Sequence, residues 1–381
     1  MSPVNAKRCQ RAWLPILCLG IFGIPSTVLA DAGTPLMWAG LFHLAIGNAL
    51  IGLFEAALLV KFFSLRKGRT LWLLIAANYF SAWIGGWLVC GPLVRMLKLD
   101  LNNAWLWFWI LVVVTYLMTL VLEWPFVALS FRGSKDWFKR SLKGNLLVQS
   151  ASYLLIFGWY WMAGNASLYT QTHLVSPEDI SLPKSVLVYF ISDQTGDVYV
   201  RNLSPRETHK VFDLKSTNED DRLFVRQEEG TTNCWDLEAR IGEVGSRDPK
   251  LVMLKGCFAH QAILDEHVRY SSEEPGTWFN FGMVPKLGDA GTNPPEFYTG
   301  FWAAEGLHSS YGQKEPIVHL AFETPFVQWT VRNATQLPTD EVIFQLGEDQ
   351  ICIFDPASKK VALLEHGRGP VVALAEKNDA K

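Results

Sequence analysis

Four apolar stretches, at about residues 36–60, 71–93, 104–130 and 145–163, limit what this chain can fold into more than any other feature. Each is near the ~20 residues that an α-helix needs to cross the hydrocarbon of a bilayer. Lipid offers no water to unpaired backbone groups, so these stretches are expected as helices that satisfy their own N–H and C=O groups. The expected fold is a membrane α-helical bundle of four transmembrane helices at 31–163, followed by a linker at 164–178 and an all-β extracytoplasmic domain at 179–381.

The loops set the threading. "KFFSLRKGRT" holds Lys61, Arg66, Lys67 and Arg69 with no acid, and "FRGSKDWFKRSLKG" holds Arg132, Lys135, Lys139, Arg140 and Lys143 against Asp136 alone. The middle loop has only Arg95 and Lys98, offset by Asp100. Basic loops stay in the cytoplasm, so the mature N-terminus and everything after about residue 164 are expected outside. The first 30 residues point the same way. Lys7, Arg8 and Arg11 precede the apolar "WLPILCLGIFGIP", and Ala30 offers a signal-peptide cleavage site, with an uncleaved signal anchor as the alternative. A bacterial inner membrane with a periplasmic C-terminal domain is the expected location. Trp38, Trp87, Trp105, Trp107, Trp159 and Trp161 cluster at the outer helix ends, where amphipathic rings prefer the headgroup level.

Inside this apolar frame lie costly polar groups. Glu123, in "LVLEWPFVAL", falls nine residues before Arg132, roughly 13 Å from the inner boundary. Glu55 falls six before Lys61, Asn78 nine past Arg69, and Gln149 six past Lys143, so each span brings a strong polar group to one layer. Asn48, Gly52 and Glu55 share an arc of the first helix, and Thr115, Thr119 and Glu123 follow a helical period on the third. Pro125 is expected to free the carbonyl of Val121. Ser81, Ala82, Gly85 and Gly86 give the second helix a small-residue face suited to close approach. A charge at mid-membrane costs about 2.5–3.5 kcal/mol, so both acids are expected to face the bundle interior, with at least one of them protonated. The intramembrane candidates are Glu55, Glu123, Asn48, Asn78, Gln149, Thr119 and, nearer the outer side, His43. They read either as a hydrogen-bonded packing device or as a proton or cation site.

From about 178 the pattern becomes short alternating runs, among them "SVLVYFIS", "DVYVRNL", "RLFVRQ", "EVIFQLG", "QICIFDP", "KVALLEH" and "PVVALAE". Turn residues separate them, which is the mark of an all-β domain. "VYFISDQTGDVYVRNLSPRETHKVFDL" can be laid on "VIFQLGEDQICIFDPASKKVALL", strand for strand and turn for turn. Over about 60 residues this repeat resembles blades of a β-propeller of the WD40 or quinoprotein-like kind. The resemblance implies a propeller-like domain of four or five blades, each about 40 residues. A β-sandwich is the alternative. The segment from about 257 to 315 fits the repeat badly and reads as insertion loops.

In an oxidising compartment Cys234 and Cys257 are candidates for a disulfide, with Cys352 buried in a strand. Cys257, His260 and His267 could begin a zinc site, but no second ligand pair has the usual spacing, and no metal is expected. No cofactor is expected either. The chain holds no G-x-S-x-G, Walker, G-x-G-x-x-G or H-E-x-x-H motif, which favours a non-catalytic protein and names no catalytic residue. A net charge of −3 without a basic block argues against nucleic acid. The expected partners are the lipid bilayer and either another protein or a second copy. The expected role is a sensor, scaffold or subunit of an envelope complex. A proton- or cation-conducting component and a membrane-tethered periplasmic enzyme are the alternatives.

Overall fold

The computed structural model describes residues 35–89, 93–164, 172–182, 186–204, 206–219, 221–227, 235–242, 250–259, 282–287, 296–299, 306–310 and 318–374. The expected signal peptide lies outside them, as do Cys234, His260, His267 and the side chain of Cys257. The chain divides into two compact units, one helical and one of strands.

The helical unit has four helices long and apolar enough to cross a membrane: α1 (Leu36–Phe63), α2 (Lys67–Leu88), α3 (Ala104–Ser130) and α4 (Trp137–Ala163). A π-turn at His43–Gly47 interrupts α1, and Ser64 ends it in a left-handed conformation (φ 58°) with its amide on the carbonyl of Val60. Pro125 sits within α3 without ending it. Gly52 of α1 is a point of close helix approach. A β-carbon there would lie 2.7 Å from the α-carbon of Ile75 in α2. The close approach expected at Gly85 and Gly86 is not made there: a β-carbon on Gly85 would find only the tip of Met118 at 3.8 Å, and one on Gly86 would meet open space. The contact forms where α1 offers the missing side chain, because one bare helix face suffices to bring two backbones together.

Large apolar side chains of this unit point outward, with Trp72, Trp87, Val121 and Leu154 each more than 70% exposed. Ala56, Leu59, Leu74, Val127, Phe131 and Val148 form an apolar core. Beside it, buried Glu55, Asn78, Ser81, Glu123, Asn145, Gln149 and Ser152 face inward.

The β unit contains β1 (His173–Leu174), β2 (Val186–Ser192), β3 (Val198–Asn202), β4 (Thr208–Phe212), β5 (Arg222–Gln227), β6 (Trp235–Ile241), β7 (Lys250–Ala259), β8 (Gly282–Met283), β9 (Glu296–Thr299), β10 (Leu307–Ser310), β11 (Val318–Leu320), β12 (Val331–Gln336), β13 (Val342–Leu346), β14 (Gln350–Asp355) and β15 (Lys360–Leu374). The segment Asp100–Trp105 also belongs to it. Within the expected linker, β1 joins the sheet by pairing parallel with β15.

The strands form an eight-stranded sheet in the order β12-β13-β14-β15-β2-β3-β4 with β1 beside β15, a four-stranded sheet β11-β10-β9-β8 and a three-stranded sheet β5-β6-β7. The two repeat copies are the antiparallel meanders β2-β3-β4 and β13-β14-β15. They are not separate blades. "KVALLEH" and "PVVALAE" make one long strand, whose first half pairs with β14 and whose second half pairs with β2, so the meanders fuse into one sheet. The bend between the halves falls at Gly367 to Gly369. A β-carbon on Gly367 would lie 2.5 Å from the ring of Phe190, and Gly369 has φ 59° with the backbone of Arg222 and Leu223 against it. Among the described residues the sheets close neither a propeller nor a barrel. One core, including Val188, Ile191, Leu223, Leu237, Ile353 and Val372, is shared by the eight-stranded and three-stranded sheets.

Candidate functional site

The polar layer of the helical unit is built around two carboxylates. Glu55 of α1 has no exposed surface and Glu123 of α3 has 1%. The two lie close enough for their charges to act on each other directly. One turn of α2 serves both: Asn78 Nδ2 donates to Glu55 Oε2 at 2.7 Å, and Ser81 Oγ donates to Glu123 Oε1 at 2.5 Å. Residues three apart on a helix share a face, so this pairing accords with the sequence spacing. From α4, Gln149 Nε2 donates to Glu123 Oε2 at 2.6 Å. Ser152, one turn on, has its hydroxyl within reach of Glu55, but directs its proton to the carbonyls of Val148 (3.0 Å) and Gln149 (3.2 Å). Glu55 Oε1 has no hydrogen-bond partner among the described residues.

Of the intramembrane candidates, the structure thus brings Glu55, Glu123, Asn78 and Gln149 together. The others bond elsewhere. Asn48 reaches the carbonyl of Leu44 on its own helix. Thr119 donates to Thr115 O and meets Tyr153 Oη at 3.1 Å. His43 Nδ1 meets Tyr160 Oη at 2.9 Å, beside an apolar cavity of about 40 Å³ lined by Phe42, Ile51, Phe54 and Trp159 among others. The carbonyl that receives a side chain near Pro125 is that of Leu120, bonded by Asn145 Nδ2 at 2.9 Å, one residue before the carbonyl of Val121.

Sequence reasoning misses Ser81, Ser152 and Asn145 as polar partners, although a signal is there. Asn145, Gln149 and Ser152 recur at i, i+4 and i+7, and Ser81 comes three residues after Asn78. Small hydroxyls are compatible with an apolar span, and that hides them.

The β unit has ion pairs of its own. Asp197 lies 2.7 Å from Lys210 and accepts the amides of Leu214 and Lys215. The hydrogen bond from Lys210, then these amides, hold its carboxyl below the usual range, and Asp197 with Asp213 raises the Lys210 ammonium. Burial pushes the carboxyls of Glu238 and Glu341 up. Burial also raises the Cys352 thiol well above its ordinary value, with Asp349 and Asp100 adding to the shift. This cysteine is free and fully buried in β14. Arg368 Nη2 donates to Ser216 Oγ (2.7 Å), which in turn donates to Asp221 Oδ2 (2.6 Å), bracing the bend of β15. No group of three or more His, Cys, Asp or Glu suited to a metal ion occurs among the described residues.

The class defined by these features is a chain with four span-length helices, a carboxylate pair buried among them and a separate antiparallel β unit. No known family, curated protein or solved structure matches it.

Proposed function

We propose that this is a multi-pass protein of a bacterial inner membrane, inserted by an N-terminal signal peptide. Its C-terminal β unit stands in the periplasm and binds a partner there. It acts as a sensor, scaffold or subunit of an envelope complex. The observation that carries this reading is the division into an outward-apolar helical unit and a separate β unit with its own core. The basic loops after α1 and α3 support the orientation. So does the segment Asp100–Trp105, which the threading puts outside and which belongs to the β unit, where the Leu101 amide donates to Gln350 Oε1 at 2.6 Å.

Alkaline phosphatase fused after Lys381 is expected to be active, and fused at Lys67 inactive. The reverse result overturns the orientation. Purification in mild detergent and then mass spectrometry is expected to recover a partner that is lost when the β unit is replaced by an unrelated periplasmic domain. Recovery that ignores the replacement overturns the binding role of that unit. A second reading, a component that handles protons or cations, is favoured by one observation: the buried Glu55 oxygen that no described residue supplies with a donor.

A further inference from the structure

Glu55 has one oxygen provided for and one not. Asn78 donates to Oε2, while Oε1 has no partner among the described residues, in a carboxyl group with no exposed surface. Ser152 is within reach, yet its single proton is already directed at the carbonyls of its own helix. A hydroxyl carries one proton and two lone pairs. Ser152 therefore can accept a bond from Glu55 but cannot donate one without giving up its bond to the helix. An ionised Glu55 only accepts, which leaves Oε1 buried without a donor beside a second carboxylate. A protonated Glu55 donates from Oε1, and Ser152 Oγ receives.

Glu123 has the opposite surroundings. Both its oxygens accept from donors, Ser81 at 2.5 Å and Gln149 at 2.6 Å. Donors on both oxygens suit an ionised acceptor, which has lone pairs and no proton of its own. The same donors argue against a metal cation, which needs oxygen lone pairs pointing at it rather than N–H and O–H groups. Tyr153, whose hydroxyl meets Thr119, is a further titratable group within electrostatic reach of Glu123.

We propose that Glu55 and Glu123 form a binding site for one proton within the helical bundle. Glu55 is the carboxylic acid, with its proton on Oε1 and donated to Ser152 Oγ. Glu123 is the neighbouring carboxylate and carries the pair's single negative charge. This deepens the second reading above. Its failure would leave the topology and binding reading intact, since the fusion reporters do not depend on these side chains.

Infrared spectroscopy of the full chain in detergent tests it. At neutral pH, the wild-type minus Glu55→Gln difference spectrum is expected to show the C=O band of one protonated carboxyl, shifted in deuterium oxide. Glu238 and Glu341, raised by burial, cancel in that difference. Glu123→Gln is expected to keep the band. Ser152→Ala leaves the backbone bonds of α4 in place, so it guards against a misfolded Glu55 variant; it is expected to move the band to the frequency of a weaker hydrogen bond. A band that is missing from the wild type, lost only in Glu123→Gln, or unmoved in Ser152→Ala overturns the assignment. A band removed by added sodium or calcium, with a rise in melting temperature, would make this a cation site instead.

Discussion

The helical unit and the β unit differ most in what they expose and in how much of their interior is polar. In α1 to α4 the buried positions include two acids, three asparagines, a glutamine and several serines beside a small apolar core, while Trp72, Trp87, Val121 and Leu154 face outward. In the β unit Ile191, Phe344, Ile353 and Val372 fill the interior. Water drives apolar side chains inside, whereas lipid is as apolar as the side chains it meets and gives no such push. What holds a bundle together in lipid is close packing and hydrogen bonds, hence Gly52 and the Asn78–Glu55 and Gln149–Glu123 pairs. The exterior of one unit thus resembles the interior of the other.

Reciprocal substitutions break or sharpen this contrast. The largest effect is expected from Ile353→Asn, which places an amide without a partner in the β core. It should cost about 4 kcal/mol and abolish cooperative melting of that unit, read by near-ultraviolet circular dichroism. The same change at outward-facing Leu154 is expected to leave melting of the β unit unmoved. If both positions respond alike, the two units do not face different solvents.

Next comes Gly52→Val. Its side chain meets the backbone of α2 rather than a movable side-chain tip, so the cost should sit at the upper end of the ~1–3 kcal/mol typical of overpacking. Gly86→Val, with open space around it, is the control and should melt like the wild type. Gln149→Leu ranks third, at about 1–2 kcal/mol in detergent, because it leaves one Glu123 oxygen without its donor although it makes the helix more apolar. A stabilised Gln149→Leu protein would sink the claim that hydrogen bonds hold this bundle.

Two smaller effects concern the β unit alone. Cys352 is expected to resist alkylation in the folded protein and to react only on unfolding, because burial keeps its thiol neutral and covered. Mass spectrometry of its peptide checks this. Asp197 gives the smallest effect. Folding lowers its pKa, so its contribution is present above the unfolded carboxylate value of about 3.9 and is lost as pH falls through the folded value. Asp197→Asn should therefore lower the melting temperature at neutral pH and converge with the wild type in acid.

The strands show how far pattern reading reaches. "VLVYFIS", "VIFQL" and "QICIFD" are strands as their β-branched content suggests. β6, "WDLEARI", escapes the pattern because Asp236, Glu238 and Arg240 are all buried, and burial of charge depends on partners such as Arg226, 3.2 Å from Glu238. Nor does a repeat say whether its copies stay separate. Whether a strand such as β15 continues past Gly367 to Gly369 into a second sheet depends on which neighbours lie there to receive it.

By itself the sequence determined the four span-length helices, the β character of the C-terminal half, and the presence of a strong polar group on each of those helices. Local composition and period decide these, and each segment carries them alone. Only the tertiary structure decided that Asn78 and Ser81 divide between two carboxylates, that Ser152 stands beside Glu55 with its proton already used, and that one bent strand fuses two meanders. Those pairings join residues far apart in the chain, 23 positions for Asn78 and Glu55 and 42 for Ser81 and Glu123. The direction of a hydrogen bond is set by where the partner lies, which no single segment encodes.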